Sequence, residues 1–314
     1  NITDNSQLLI RRNITERIHT LTPFLHLDSD PYLVLTKDRF YWIQDAYTLS
    51  KWYPVAKPAE DDFLDGKQEF NYIRNSVKVA VDALDGNVQY YISDPSDVII
   101  QAYSNAYPSL FKNMEEMPAD LKSHLRYPRD LFYLQMKVYA KYHQQKPELF
   151  YEQAETWQFA RVRGEPVKPY YQTIDFGNCN GKEEFVMLNP MTPINNNNLS
   201  MIGVAGILDA KTCSTDYKPG ITIYKFRKDV QVNGPAQVEA LIQQDPEISA
   251  QFTLWDQGGS NIRLGRMIIM PMVRRSRRSW ISSLYATTRM RPRLLALAAI
   301  TTDPPVAPST RTRP

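Results

Sequence analysis

The run from Asn75 to Ile92 constrains the fold more than any other stretch of the chain. Apolar and polar residues alternate on both sides of Asp85-Gly86, a dipeptide that readily supplies the positive φ angles of a tight hairpin turn. The pattern predicts an antiparallel hairpin with strands at 75–82 and 87–92, closed by a type I′ turn at Asp85-Gly86. Asp94-Pro95 then predicts a capped helix start, and Tyr127-Pro128 a second one. Val98, Ile99, Ala102, Tyr103 and Ala106 share a helical spacing, as do Leu131, Leu134, Gln135, Val138 and Tyr142. With Pro118 and Pro147 at further helix starts, residues 95–151 read as a helical block.

Strands flank that block. On the N-terminal side, Ile14, Ile18, Leu21 and Leu25 predict a short helix that Pro23 interrupts. Tyr32–Leu35 and Phe40–Ile43 predict a hairpin around Lys37-Asp38, and 54–66 is a loop rich in proline and acids. On the C-terminal side, strands are expected at Tyr170–Phe176, Glu184–Leu188, Met201–Leu208 and Ile221–Phe226. Gly234-Pro235 and Asp245-Pro246 open two helices, Gly258-Gly259 stops the second, and Arg266–Met272 reads as a last strand. The fold class is α+β, a strand-rich domain with a central helical block. No run of 18 apolar residues exists, so no transmembrane segment is expected in the chain.

Charge divides the sequence sharply. Of 37 basic and 34 acidic residues, ten Arg and one acid (Asp303) lie at or beyond Arg266, which leaves 27 basic and 33 acidic residues in 1–265. A mildly acidic body at 1–272, as one domain or as two lobes split by 95–151, therefore carries a basic low-complexity tail at 273–314. Tails of this kind suggest nucleic acid or an anionic membrane surface. These bases lack interleaved aromatics, so no nucleic-acid partner is expected.

Motifs for chemistry are sparse. The sequence has no glycine-rich phosphate loop, no H-E-x-x-H, no G-x-S-x-G and no CxxC. Cys179 and Cys213 lie in polar segments and could pair or remain thiols. His26, Asp28 and Asp30 could offer ligands to a metal, yet Asp28 and Asp30 before Pro31 serve equally as turn and cap residues. His124 and His143 lie near helix ends, where ordinary polar contacts suffice, and no metal or cofactor is expected. Asp45, Asp82 and Asp85 are the candidate paired acids for glycan hydrolysis. The hairpin accounts for Asp82 and Asp85, which leaves Asp45. Tyr41, Trp42, Tyr47 and Trp52 surround Asp45 in sequence and could floor a groove for a ligand or partner, or simply serve core and rim.

Several stretches together carry a family resemblance. They include Leu27-Asp-Ser-Asp-Pro-Tyr32, Tyr41-Trp-Ile-Gln-Asp-Ala-Tyr-Thr48, Asn71-Tyr-Ile-Arg-Asn-Ser-Val-Lys-Val79 and Asp82-Ala-Leu-Asp-Gly86. Met117-Pro-Ala-Asp-Leu121, His124-Leu-Arg-Tyr-Pro128, Gly234-Pro-Ala-Gln-Val-Glu239 and Gln244-Asp-Pro-Glu-Ile-Ser249 follow in order. The chain resembles uncharacterised protein family 0182, bacterial multi-pass membrane proteins, from about residue 14 to 272. The resemblance implies a large extracytoplasmic domain separated from its membrane helices, on the outer face of the cell membrane, with the transmembrane bundle of the parent and other envelope proteins as partners. It implies no catalytic residues. The expected role is binding, assembly or envelope structure; the alternative is an envelope glycan or peptide hydrolase using Asp45. Beyond Met272 the resemblance stops, and the Arg-, Ala- and Pro-rich tail reads as disordered or out of frame.

Overall fold

The computed structural model describes residues 3, 6, 10–59, 69–153, 155–175, 183–207, 217, 219–227, 229–255, 265, 267–273, 280–286 and 298–300, with side chains as far as Ile269. The architecture is α+β and strand-rich. The chain divides into two compact units, 1–135 and 136–314. Among the described residues no helix is long and apolar enough to cross a membrane. Cys179, Cys213 and Gly258-Gly259 fall outside the described residues.

The first unit is built on one six-stranded sheet. Strands β1 (His26–Leu27) and β2 (Tyr32–Leu35) both pair with β3 (Phe40–Ser50). Strand β3 pairs with β4 (Tyr72–Asp82), β4 with β5 (Val88–Ile92), and β5 in parallel with β6 (Phe111–Asn113). Helix α1 (Ile14–Leu21) starts where the Asn13 side chain accepts from the amides of Thr15 and Glu16. Val77, Val79 and Val81, every second residue of β4, pack with Ala46, Tyr90, Phe111, Ile18 of α1 and Ile100 of α2 (Val98–Ala106).

The hairpin has the strands expected and a different turn. Val81 pairs with Val88, and the Gly86 amide donates to Asp82 O at 2.9 Å. The Asp82 amide donates to Asn87 O at 2.9 Å, so four residues rather than two make the loop. Gly86 alone takes a positive φ, +74°. The Asp85 carboxylate accepts from the Asn87 amide at 2.9 Å, an Asx contact that replaces the type I′ geometry.

The helical block is present, with shifted details. Helix α2 is capped by Asp97, not by Asp94. The Asp97 amide donates to Asp94 O at 3.2 Å, so Asp94-Pro95 forms a turn before the helix. Its buried residue is Ile100, and Val98 is exposed. Helices α3 (Ala119–Ser123), α4 (Arg129–Tyr142) and α5 (Pro147–Glu152) follow, with Pro118 and Pro128 just before and Pro147 at the first turn. Helix α4 buries Phe132, Met136 and Ala140 at a spacing of four; Val138 and Tyr142 are exposed.

In the second unit, β10 (Tyr170–Ile174), β11 (Glu184–Pro193), β12 (Met201–Gly206) and β13 (Gly220–Lys225) form an antiparallel meander, and β7 (Trp157–Phe159) pairs with the far end of β11. Strands β8 (Arg161–Val162) and β9 (Glu165–Pro166) make a small hairpin. Val186, Leu188, Ile202 and Val204 supply the core. Asp245 caps α7 (Pro246–Trp255) directly after α6 (Pro235–Gln244). Strand β14 (Met267–Val273) pairs with β15 (Trp280–Ala286), and β15 with β16 (Ala298–Ile300). The remainder of 274–314 lies outside the described residues.

Candidate functional site

Alternation along β4 predicts one buried and one solvated face. The structure covers both: every residue from Ser76 to Asp82 is buried. The second face therefore takes a lysine inside, and Lys78 is 0% exposed. Directly across the sheet, in register on β3, stands Asp45 at 2% exposure. Lys78 Nζ donates to Asp45 Oδ1 and, at 3.2 Å, to Arg126 O.

Two residues along β3 the fully buried Tyr47 donates its hydroxyl hydrogen to Asp28 Oδ2. Asp28 follows β1 and is 4% exposed. Its Oδ2 also accepts from the Asp130 amide at 2.9 Å, and its Oδ1 from the Asp30 amide at 2.9 Å. Asp130 returns the contact, accepting from the Ser29 amide and hydroxyl, each at 2.7 Å. Loop 28–30 and the start of α4 thus clasp each other through two carboxylates. Arg129 faces Asp30 at 3.5 Å, and Gln44 Nε2 donates to Asp28 O at 2.7 Å.

Burial dominates the electrostatics. It pushes the Asp28 carboxyl up to about 7, helped by the charges of Asp130 and Asp45 and opposed by the Tyr47 hydroxyl and the Asp130 amide. Burial raises Asp45 too, against the pull of Lys78 and Asn75. Tyr47 is held far above its usual range by burial and by Asp28 and Asp45, so it stays a hydrogen-bond donor. Asp28 thus changes charge near neutrality, while Asp45 shares its environment with an amine.

The residues singled out from sequence are not gathered into one surface. Asp45 and Tyr47 lie inside this cluster, Tyr41 and Trp42 are half-buried on β3, and Trp42 packs against the apolar core of the unit. Trp52 is 80% exposed, with Lys51 Nζ 5.0 Å from its ring. Asp82 and Asp85 are both bound by Arg39, at 2.6 and 3.1 Å. Of the metal candidates, Asp28 is engaged by main-chain amides and Tyr47, Asp30 faces Arg129, and His26 lies on β1. His124 Nδ1 lies 2.7 Å from Asp120 O, and His143 Nδ1 2.9 Å from Ala140 O. Among the described residues no group of three or more His, Cys, Asp or Glu is placed to hold a metal.

Sequence reasoning missed Lys78, Asp130 and Arg126. A signal for the first existed: one lysine set between Val77 and Val79, and one aspartate among the apolar and aromatic residues of the preceding strand. The partners on 126–130 depend on tertiary placement and left no local trace.

A mixed α+β module whose central sheet encloses a lysine, two aspartates and a tyrosine is the class that the fold and site define. By sequence the chain belongs to the uncharacterised protein family UPF0182, whose model matches residues 1–255. A UPF0182 protein of Methylococcus capsulatus is 50% identical over 285 residues, 87% of this chain and 32% of that protein. One from Nitrosococcus oceani is 49% identical over 284 residues, 86% of this chain and 31% of its own length. One from Syntrophobacter fumaroxidans is 46% identical over 274 residues, 86% and 30%. The chain spans about a third of the length of these relatives. No solved structure matches it.

Proposed function

We propose that this chain is an extracytoplasmic α+β domain of a bacterial integral membrane protein, and that it serves binding, assembly or envelope structure rather than turnover. The observation that carries the non-catalytic part is the closed state of the charge cluster. Asp45 is 2% exposed and bound by Lys78, and Asp28 is 4% exposed and bound by Tyr47 and two amides. A glycosidase must present its two carboxyls to a sugar and to water. Charges that face one another inside a sheet hold strands and loops in register instead.

The membrane assignment rests on the family resemblance carried by residues from about 14 to 272. The chain spans about a third of the relatives it matches, which leaves room in the parent for the spanning helices that this reading requires. That transmembrane bundle and other envelope proteins are the partners, and nucleic acid is not. Trp52 and Tyr53, exposed after the end of β3, offer the aromatic anchors such contacts use.

Fractionation tests the reading. The full-length parent sediments with membranes, and a cytosolic parent would overturn the location. Glycan and peptide substrates show no turnover; a hydrolytic rate that Asp45→Asn abolishes, with the fold intact, would establish the hydrolase instead.

A further inference from the structure

The Lys78–Asp45 pair has the arrangement of a reaction as well as of an ion pair. The amine and the carboxyl stand on directly opposed positions of two antiparallel strands, in hydrogen-bond contact. Neither meets solvent. Two ions so placed lose their hydration, which narrows the gap between the charged pair and the neutral amine and carboxylic acid. Those neutral forms are the reactive ones, a nitrogen lone pair beside an acyl carbon. Reactants fixed at contact by a folded sheet gain a large effective concentration. Arg126 O, 3.2 Å from Nζ, accepts one amine hydrogen and so helps orient the nitrogen. A second buried carboxyl belongs to the same cluster: the Asp28 amide donates to Asp45 O at 2.9 Å, and Tyr47 holds the Asp28 side chain.

We propose that Lys78 and Asp45 become joined by an intramolecular isopeptide bond, formed spontaneously in the folded sheet. The Lys78 Nζ lone pair attacks Asp45 Cγ, and the Nζ–Cγ bond forms. The Cγ–OH bond breaks, one amine hydrogen ends on the departing hydroxyl, and one water leaves. No oxidant, metal or external reactant enters the balance. The product is an uncharged amide in a site that disfavours charge, and the exclusion of water that favours its formation also protects it from hydrolysis. The bond staples β3 to β4 across a loop that includes the acid- and proline-rich segment between them. This inference stands apart from the proposed location and would survive its failure.

Mass spectrometry of the purified, fully denatured chain decides it. The expected mass is one water below that of the sequence. Trypsin should skip Lys78 and release a branched species joining residues 40–51 to residues 75–112. A full sequence mass, with ordinary cleavage after Lys78, would overturn the proposal. So would a water loss carried by a linear peptide at Asp85-Gly86, the mark of a succinimide. Lys78→Arg should restore the full mass, and a persistent water loss in that variant would count against the bond. Asp45→Asn should still cross-link but lose ammonia in place of water. Should either variant fail to fold, the branched peptide of the unaltered chain remains decisive.

Discussion

Tyr47 donates its hydroxyl hydrogen to Asp28, and the amide of Leu131 donates to the same hydroxyl at 3.3 Å. One phenol thus joins the middle of β3, the loop after β1 and the first turn of α4. Tyr47→Phe keeps the ring and removes the hydroxyl, leaving a buried carboxyl and a buried amide each short of a partner. The expected cost is about 1–3 kcal/mol, read as a lower urea midpoint. A change below about 0.5 kcal/mol would mean that the clasp contributes little.

Asp28 sets an unusual pH dependence. Its folded-state pKa is about 7, raised from 3.8 chiefly by burial and by Asp130. Between these values the folded chain holds a proton that the unfolded chain has released. This contribution to stability is complete below about pH 4 and is lost as pH rises toward about 7. The scale is a few kcal/mol, at about 1.4 kcal/mol per pKa unit. Asp28→Asn should flatten that limb in urea titrations at about pH 5 and about pH 8.

Asp97 works in the opposite direction. Burial pushes its pKa up, but hydrogen bonds from Ser76, Thr48, Tyr72 and the Ile99 amide win and hold it below the usual value. Its stabilisation is present above the unfolded value of 3.8 and is lost as pH falls through the folded one. Asp97→Ala removes the cap of α2 and strands the Thr48 and Ser76 hydroxyls. A loss of about 1–2 kcal/mol at neutral pH is expected from the cap alone, with a smaller loss in acid, both measurable by thermal melting.

At the hairpin tip the sequence and the structure agree on the need for Gly86. Its φ is +74°, and a Cβ there would lie 2.1 Å from Arg17 Nη1, which donates to Gly86 O at 2.6 Å. Gly86→Val should cost about 1 kcal/mol or more through the positive φ, in addition to the lost arginine contact. An unchanged midpoint in denaturant would contradict this.

Residues after Met272 differ in composition from the body, with Arg replacing Lys throughout and a single acid. We expect them to be encoded out of frame. Main-chain pairing such as that of β14 with β15 needs no particular side chains, so the test lies in the DNA. Resequencing should find a frame change near codon 273; an intact frame would refute it.

Much of the frame was legible because it is local. Asp85-Gly86, Gly234-Pro235 and Asp245-Pro246 mark their elements through turn and cap chemistry that needs no tertiary partner. The start of α2 moved because Asp97 rather than Asp94 takes the cap, a choice fixed by Thr48 and Ser76 on distant strands, and the buried faces of α2 and α4 are set by tertiary packing that local spacing does not show. The site was less legible. Asp45 and Tyr47 stood out as a polar and an aromatic residue in one strand, and a surface role was open to both. Their burial follows from the covered second face of β4, and no periodicity in β3 announces that. Trp52 alone of the set projects clearly into solvent.

The central claim, that this domain faces outward from the cell membrane, is tested most directly by labelling from outside. Trp52→Cys, at a position 80% exposed, is introduced into a full-length parent whose native cysteines have been replaced. Intact spheroplasts are then treated with a membrane-impermeant maleimide. The domain outside the membrane predicts labelling of Cys-bearing parent without lysis, at the level reached after detergent. Labelling that appears only once the membrane is dissolved would place the domain inside and contradict the account.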